Sequence, residues 1–231
     1  MAGTEYNNII VTKDLIRTFK TMGGEVHACN RISIEVPEKQ MTILRGRSGS
    51  GKTTLINMLG TLDRPTSGLI SFDGQDITKM SDSQRDKLRR TKIGFVFQSV
   101  ALMSNMTALE NVEFGLRIAG YPVKNRLQRA KDCLAMVGLA KRMTHMPQEM
   151  SGGEQQRVAI ARAIAHKPKV VFADEPTAAL DTGMGLQVIK VFRDLADQGE
   201  ATIVMTTHDP NLMDIAERVY TLQDGELSDE Y

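Results

Sequence analysis

The chain is poor in several residue types: among 231 residues it has no tryptophan, two cysteines and seven prolines. Cys29 and Cys133 lie far apart and lack metal-ligand spacing, so they predict neither a disulfide framework nor a structural zinc site, and they favour a reducing compartment. The low proline content, together with 41% hydrophobic residues, excludes disorder and a collagen-like repeat.

The chain also lacks an excess of charge and a long apolar run. Lys and Arg total 29 and Asp and Glu total 28, which predicts neither an acidic tail nor a basic nucleic-acid-binding surface. The longest apolar runs have five to six residues, such as 201–205, whereas a membrane-spanning helix needs about 20. Residues 1–8 are polar and lack a signal-peptide pattern. We therefore expect a cytoplasmic chain that does not cross a membrane alone.

Short apolar runs rich in β-branched residues predict buried strands. They occupy residues 8–11, 31–36, 41–44, 93–97, 170–173, 201–206 and 219–222. Helices are predicted where Ser81 and Thr107 begin capping boxes, and over 124–137, where apolar residues recur every three or four positions.

The order of these elements predicts the domain organisation. Strands come first, helices dominate residues 99–156, and strands then alternate with helices to the end, which indicates an α/β core interrupted by a mostly helical insertion. At about 150 residues per domain, we expect a single domain over residues 1–231. Its core would cover about 6–98 and 157–225, and its helical subdomain about 99–156.

The strongest local signal is the segment 46–53, Gly-Arg-Ser-Gly-Ser-Gly-Lys-Thr, between the predicted strand 41–44 and an apolar helix pattern over 54–59. Glycines allow backbone amides to turn toward an anion, and the helix adds its positive end. Lys52 would neutralise the β and γ phosphates and the Thr53 hydroxyl would ligate Mg²⁺. This context favours a phosphate-binding loop over a chance glycine-rich turn.

Two adjacent carboxylates, Asp174 and Glu175, follow the predicted strand 170–173. Ligands of open α/β sheets bind beyond the carboxyl ends of strands. Asp174 is expected to hold the Mg²⁺ shell, while Glu175 accepts a proton from an attacking water or orients it. Alone, such a pair is usually a solvated turn or a helix start; the upstream phosphate loop favours the functional interpretation.

A second candidate anion site is Ser151-Gly152-Gly153, which precedes an alanine-rich helix pattern over 158–165. A serine and two glycines before a helix form an anion-binding terminus, or else a capped helix after a flexible turn. One nucleotide does not need two such sites. The pairing therefore predicts that the second serves a nucleotide held by another copy of the chain.

In this order and at these separations, the three motifs resemble the ATP-binding cassette of ABC transporters, over about residues 10–226. The resemblance implies a P-loop NTPase (RecA-like) α/β core with an antiparallel β subdomain and a helical insertion subdomain. That family's signature is usually Leu-Ser-Gly-Gly-Gln. Here Met150 and Glu154 replace the first and last residues, whereas the phosphate-facing Ser151 and Gly153 are intact.

The same resemblance implies roles for residues outside the three motifs. Gln98 matches the glutamine that touches Mg²⁺ and the attacking water, and His208 matches the histidine that contacts the γ-phosphate. The segment 179–181 matches the loop that runs between two cassettes, with Asp181 as its acid. Phe19 falls where an aromatic residue stacks on adenine, and a core phenylalanine is the alternative.

The expected cofactors are ATP and Mg²⁺, and the candidate residues fall into three groups. Catalytic roles are expected for Glu175, His208, Gln98 and Lys52. Nucleotide contacts are expected from Gly46, Ser48, Gly49, Ser50, Gly51, Lys52, Thr53, Thr54, Phe19, Ser151, Gly152, Gly153 and Asp181. Metal contacts are expected from Thr53, Gln98 and Asp174.

Further matching segments of the sequence narrow the resemblance to the branch that includes macrolide-exporter, lipoprotein-release and antimicrobial-peptide-resistance ATPases. The segments that carry it are 62–68, 93–98, 107–112 and 151–157. That branch implies a permease partner with a large extracytoplasmic domain. The segment 99–106 contains Val100, Leu102, Met103 and Met106, which would contribute either to a groove for a permease coupling helix or to local core.

The sequence therefore predicts an ATPase subunit that dimerises around two ATP molecules and has no nucleic-acid partner. The permease is expected to hold this subunit at the inner face of the cell membrane. One alternative is a soluble ABC-type ATPase acting on nucleic acid or ribosomes, but the chain has neither a long coiled coil nor a second cassette. Another is a non-enzymatic regulator, against which Glu175 and His208 argue.

Overall fold

The computed structural model describes residues 7–178 and 180–228; Ala179, in the predicted inter-cassette loop, lies outside the described residues. The strands in this part of the chain are β1 (Asn8–Thr21), β2 (Gly24–Ile32), β3 (Glu35–Pro37), β4 (Met41–Arg45), β5 (Ser67–Phe72), β6 (Gln75–Asp76), β7 (Ile93–Val96), β8 (Val170–Asp174), β9 (Thr202–Thr207), β10 (Arg218–Gln223) and β11 (Glu226–Ser228). The α-helices are α1 (Lys52–Leu59), α2 (Asp82–Lys92), α3 (Ala108–Ile118), α4 (Val123–Met136), α5 (Gly152–Ala165) and α6 (Thr182–Asp197).

The strands form two sheets. The larger has the order β11-β10-β4-β9-β8-β7, and its strands from β10 to β7 run parallel. The smaller has the order β2-β1-β5-β6, with β3 beside β1, and its pairs are antiparallel. The α/β class with an antiparallel subdomain is confirmed. In the parallel sheet, the phosphate-loop strand β4 lies next to β9, and β9 lies next to β8.

The parallel sheet is covered on both faces by packed elements. Successive strand residues point to opposite faces, so neighbours in a strand belong to different cores. Ile43 and Val171 belong to a core shared with α3, α4, α5 and α6. Their neighbours Leu44 and Phe172 belong to a second core shared with α1 and the antiparallel sheet. Both cores hold the parallel strands in place, so the ends of β4, β8 and β9 form a fixed edge.

The helix starts follow the predicted capping chemistry. Ser81 Oγ accepts a hydrogen bond from the Gln84 amide at 3.4 Å, and Gln84 Oε1 accepts one from the Ser81 amide at 2.9 Å. Thr107 and Glu110 repeat the exchange at the start of α3, at 3.2 and 2.7 Å. These capping boxes are confirmed, and α4 occupies the predicted helical stretch to within one residue. The domain boundaries remain predictions.

The single strand predicted over 31–36 is wrong. Strand β2 ends at Ile32 and β3 begins at Glu35. Ser33 and Ile34 lie between the two strands and belong to neither. Thr12 occupies the gap, because its amide donates to the Ile34 carbonyl and its Oγ1 accepts from the Ile34 amide, both at 2.9 Å.

Other differences are extensions or strands without a predicted counterpart. The predicted strand 8–11 is the start of β1, which continues to Thr21. Strands β5, β6 and β11 and the first part of β2 were not predicted, because their residues are exposed or polar at many positions. Among the residues described, no helix combines the length and apolarity that crossing a bilayer requires.

Candidate functional site

The phosphate-binding loop joins the end of β4 to the start of α1. Gly51 is the N-cap of α1, with a φ of +101°, and a Cβ there would lie 2.2 Å from the Ala28 carbonyl oxygen. At Gly46, with a φ of +151°, a Cβ would lie 2.3 Å from the Leu222 carbonyl oxygen. Both positions therefore require glycine, since any side chain would push the loop off the neighbouring strands.

Lys52 begins α1 and is only 6% exposed. Its Nζ donates hydrogen bonds to the carbonyl oxygens of Gly46 at 2.7 Å and Arg47 at 2.9 Å. The loop thus curls around the ammonium group, which also lines the open cleft beyond. This places one positive charge beside the N-terminus of α1, where the helix dipole adds to it.

Asp174, at the end of β8, connects the loop helix with the neighbouring strand. Thr53 Oγ1 donates to Asp174 Oδ2 at 2.8 Å, and Thr206 Oγ1 donates to Asp174 Oδ1 at 2.6 Å. The Glu175 amide in turn donates to Thr206 Oγ1 at 2.8 Å. Both carboxylate oxygens therefore accept hydrogen bonds, and Asp174 is only 8% exposed.

Thr206 is a site residue that the sequence analysis missed. It lies directly opposite Asp174 in the β8–β9 register. Its hydroxyl holds the side chain of Asp174 and the backbone of Glu175 at once. Threonine is an ordinary strand residue, so only the knowledge that β9 pairs with β8 would have singled it out.

Glu175 leaves the strand in a left-handed conformation, with a φ of +44°. Such a conformation is uncommon for a residue with a side chain and marks a constrained position. It brings Glu175 Oε2 to 3.3 Å from His208 Nδ1. The Glu175 side chain is 21% exposed and that of His208 is 72% exposed, so both are open to a ligand from the cleft.

A cleft of about 410 Å³ collects the predicted residues of the phosphate loop, Gln98, Glu175 and His208. Its lining residues are Ala28, Gly46, Ser48, Gly49, Gly51, Lys52, Thr53, Thr54, Gln98, Glu175 and His208. Four segments distant in the sequence thus converge at the carboxyl ends of β4, β7, β8 and β9. A larger cavity of about 560 Å³ lies against another side of the same loop and includes the buried Ser50.

The structure leaves other predicted residues outside the lining of this cleft. Ser151 is the N-cap of α5, and Asp181 is the N-cap of α6, where its Oδ1 accepts from the Met184 amide at 3.0 Å. Helix α5 begins at Gly152, so Gly152 and Gly153 form its first turn. Their predicted position before the helix is wrong, because the Ser151 cap starts the helix at Gly152.

Phe19 lies on β1 and is 38% exposed. The guanidinium of Arg17 covers one face of the ring, 4.3 Å from its centre, and is itself fixed by Asp63 at 2.8 Å. The ring is therefore partly available at the surface and supported from one side by a cation. Phe19 therefore belongs to neither buried core, so the alternative of a core phenylalanine is wrong, and the stacking role stays a prediction because the ring does not line the cleft.

Both cysteines are buried free thiols. Cys29 follows Ala28 on β2, and its Sγ lies 3.8 Å from the Gly51 carbonyl oxygen, directly behind the phosphate loop. Burial raises the pKa of Cys29 to about 12, and burial raises the pKa of Cys133, on α4, to about 11. Both are therefore thiols rather than thiolates at neutral pH.

The residues that line the cleft, together with Asp174, which does not line it but contacts Thr53, fit a nucleoside polyphosphate with a magnesium ion. The loop amides, the N-terminus of α1 and the Lys52 ammonium are donors suited to phosphate oxygens. Thr53, Gln98 and Asp174 offer the hydroxyl, amide and carboxylate oxygens that Mg²⁺ prefers, and Mg²⁺ usually takes the rest of its ligands from phosphates and water. The 2.8 Å bond between Thr53 and Asp174 already joins two of these groups.

Comparisons with known proteins agree with this geometry. Residues 29–178 match the family model described as ABC transporter. An uncharacterised ABC transporter ATP-binding protein of Thermotoga maritima is 45% identical over 203 residues, which cover 88% of this chain and 86% of that protein. The macrolide export ATP-binding/permease protein MacB of Syntrophobacter fumaroxidans is 43% identical over 96% of this chain, which spans 32% of that longer protein.

A solved structure gives the same result. The ATP-binding cassette MJ0796, in a dimeric post-hydrolysis state bound to ADP and Pi, superposes with a TM-score of 0.91 at 38% identity, over 96% of this chain and 97% of that one. The chain therefore belongs to the ABC transporter family. Within that family it is an ATP-binding subunit that hydrolyses ATP to drive a transporter, which confirms the predicted fold, family and ATPase activity.

Proposed function

We propose that two copies of this chain close head to tail around two ATP molecules with Mg²⁺, and that hydrolysis reopens them to drive a membrane permease. One observation carries this proposal: the phosphate loop, Gln98, Glu175 and His208 share one cleft, whereas Ser151 caps a helix outside that cleft's lining. A second anion-binding helix end that does not line the chain's own cleft is suited to a nucleotide on another copy. The solved cassette, which is dimeric and bound to ADP and Pi, supports a dimer.

In each cleft, the amides of the loop and Lys52 would bind the β and γ phosphates. Thr53, Gln98 and Asp174 would hold Mg²⁺, which supplies charge neutralisation at the phosphates. Glu175 would accept a proton from the attacking water, or orient it, and His208 would contact the γ-phosphate. The 3.3 Å approach of His208 Nδ1 to Glu175 Oε2 keeps the two side chains on the same side of the cleft.

Ser151, Gly152 and Gly153 would complete the site from the other copy. The Ser151 hydroxyl accepts from the Glu154 amide at 3.2 Å, so its own hydrogen is available to donate to a phosphate oxygen. Asp181 would lie at the contact between the copies, where its position as the α6 cap fixes its carboxylate. Phe19 would stack on adenine with the face that Arg17 does not cover.

The permease would dock near the segment that follows Gln98. Met103 is 43% exposed there, while Leu102 packs against the core. Val100 and Met106 are half-buried. The exposed part of this segment supports a groove for a permease helix, and the packed part supplies local core. The MacB relatives, which are named as ATP-binding/permease proteins, support a permease partner. We propose further that this permease has a large extracytoplasmic domain, as the resembled branch implies, and that it holds the chain at the cytoplasmic face of the membrane.

Mixing two inactive variants tests the shared site. In Lys52→Met the chain's own phosphate loop fails, and in Ser151→Arg the helix end offered to the other copy fails. Each mixed dimer of these variants contains one intact site and one doubly damaged site. We expect ATPase activity to recover to as much as about a quarter of the wild-type value, because half of the dimers are mixed and each retains one site of two.

The two single variants provide the controls, since each alone has no intact site in any dimer. If the mixture stays as inactive as its components while both variants remain folded by circular dichroism, each site is built from one chain and the head-to-tail dimer is wrong. Intact activity in Ser151→Arg alone would equally exclude a phosphate contact from that helix end.

Purification of the tagged chain from detergent-solubilised native membranes tests the partner. We expect a permease with a large extracytoplasmic domain to be recovered in stoichiometric amount. Recovery of ribosomes or nucleic acid without any membrane protein would contradict the permease assignment and favour the alternative of a soluble ABC-type ATPase.

A further inference from the structure

The N-terminus of α5 carries a fixed carboxylate. Glu154 Oε2 accepts a hydrogen bond from the Ser151 amide at 2.9 Å, and Ser151 Oγ accepts one from the Glu154 amide at 3.2 Å. The carboxylate is therefore held against the same helix turn that contains Gly153 and that our proposed function assigns to a phosphate of the other copy. The resembled signature has a neutral glutamine at this position.

This carboxylate favours the helix but opposes an anionic ligand. An acidic group in the first turn interacts well with the positive end of the helix. The backbone hydrogen bond from Ser151 is the main cause that lowers the pKa of Glu154, so the group is ionised at neutral pH. A phosphate that approaches the same helix end would be repelled by this carboxylate, which cancels part of the attraction of the positive helix end.

Arg142 lies beside this carboxylate. Its Nε is 3.1 Å from Glu154 Oε1, and its Nη1 is 3.0 Å from His145 Nε2. Because a guanidinium only donates, His145 accepts through Nε2, and the two partners hold the guanidinium from different sides. The Arg142 side chain is 48% exposed and that of Glu154 is 18% exposed. An ion pair whose arginine is half exposed contributes little to stability, and the capping box already holds Glu154, so folding alone does not account for Arg142.

We propose that Arg142 is a positioning residue for ATP-dependent closure, one that offsets the charge of Glu154 so that the Ser151 helix end accepts the nucleoside triphosphate of a second copy. The inference rests on the head-to-tail dimer proposed above. It assigns to this chain a charge pair, Arg142 and Glu154, in place of the neutral glutamine of the resembled signature. Arg142 acts through Glu154 and needs no contact of its own with the nucleotide.

A double-mutant cycle tests the proposal in the Glu175→Gln background, where we expect hydrolysis to be slow and ATP-driven dimers to persist. The ATP concentration that gives half-maximal dimerisation is measured by light scattering. Arg142→Gln is expected to raise it about tenfold, within the range measured for charges at helix ends, and Arg142→Lys to raise it less. Glu154→Gln removes the charge that Arg142 offsets, so Arg142→Gln is expected to have no further effect when added to it.

Three readouts separate this role from a structural one. Binding of a fluorescent ATP analogue to the dilute monomer is expected to stay unchanged in Arg142→Gln, because its own cleft is intact. In the hydrolysing protein, the KM for ATP is expected to rise while kcat at saturation is retained. The defect is also expected to shrink as salt increases, since screening weakens the repulsion from Glu154.

The outcomes distinguish failure of this proposal from failure of the proposed function. If Arg142→Gln is equally impaired with Glu154 and with glutamine at position 154, Arg142 does not act through Glu154 and the proposal is wrong. If the Glu175→Gln parent forms no dimer with ATP at any concentration, the head-to-tail function fails first, and this inference fails with it. A double variant that matches Glu154→Gln alone supports the proposal.

Discussion

Replacing Glu175 with glutamine is expected to slow ATP hydrolysis by about two to four orders of magnitude, the usual contribution of a general base, while ATP binding persists. Glutamine has nearly the same shape but cannot accept the proton. The backbone at this position is held by the hydrogen bond from the Glu175 amide to Thr206, which the substitution leaves in place. Closed dimers should therefore accumulate with ATP.

Single-turnover hydrolysis and size-exclusion chromatography with light scattering measure this result. Glu200→Gln is a matched control. Glu200 is exposed, and its substitution makes the same chemical change away from the cleft. We expect it to retain wild-type turnover and to form no persistent dimer. If Glu175→Gln turns over ATP near the wild-type rate, Glu175 is not the general base.

Alanine at Gly51 is expected to lower kcat/KM for ATP by at least about 100-fold, the scale of loss that a displacement of about 1 Å produces in an active site. The new Cβ would lie 2.2 Å from the Ala28 carbonyl oxygen, and the φ of +101° is strained for any residue with a side chain. Either the loop or β2 must move. The loop amides and Lys52 would then no longer converge on one phosphate position.

The Gly74→Ala variant separates backbone strain from this collision. Gly74 has a φ of +74°, and a Cβ there would meet nothing within 4 Å. It is therefore expected to lose about 1 kcal/mol of stability, the cost of a left-handed conformation for a residue with a side chain, and to keep its ATP affinity. Equal losses of ATP affinity in Gly51→Ala and Gly74→Ala, measured by titration with a fluorescent ATP analogue, would contradict the collision argument.

Local chemistry made several features predictable. The phosphate loop follows a buried strand and precedes a helix, and Gly46, Gly49 and Gly51 all have a positive φ, which glycine adopts without strain. Ser81 and Thr107 carry their capping partners three residues later, so the helix starts appear directly in the sequence. Asp174 and Glu175 follow the most apolar strand, whose burial is visible from its composition.

Features that depend on strand pairing or distant contacts were not predictable. Thr206 acquires its role only because β9 pairs with β8 in the register that places it opposite Asp174. Arg142 meets Glu154 across a loop of irregular conformation, and no spacing rule predicts that contact. Arg17 covers Phe19 because Asp63, from a different segment, fixes the guanidinium.

Because Cys29 is buried behind the phosphate loop, its rate of reaction with a thiol reagent measures how often the loop opens. A thiol reagent reaches Sγ only when the loop lifts from β2, because Gly51 lies 3.8 Å away and the thiol is fully buried. The alkylation rate of Cys29 therefore depends on the frequency of that opening. A bound nucleotide that holds the loop closed lowers this rate. Cys133, buried on α4, reports in the same molecule on the opening of the helical region.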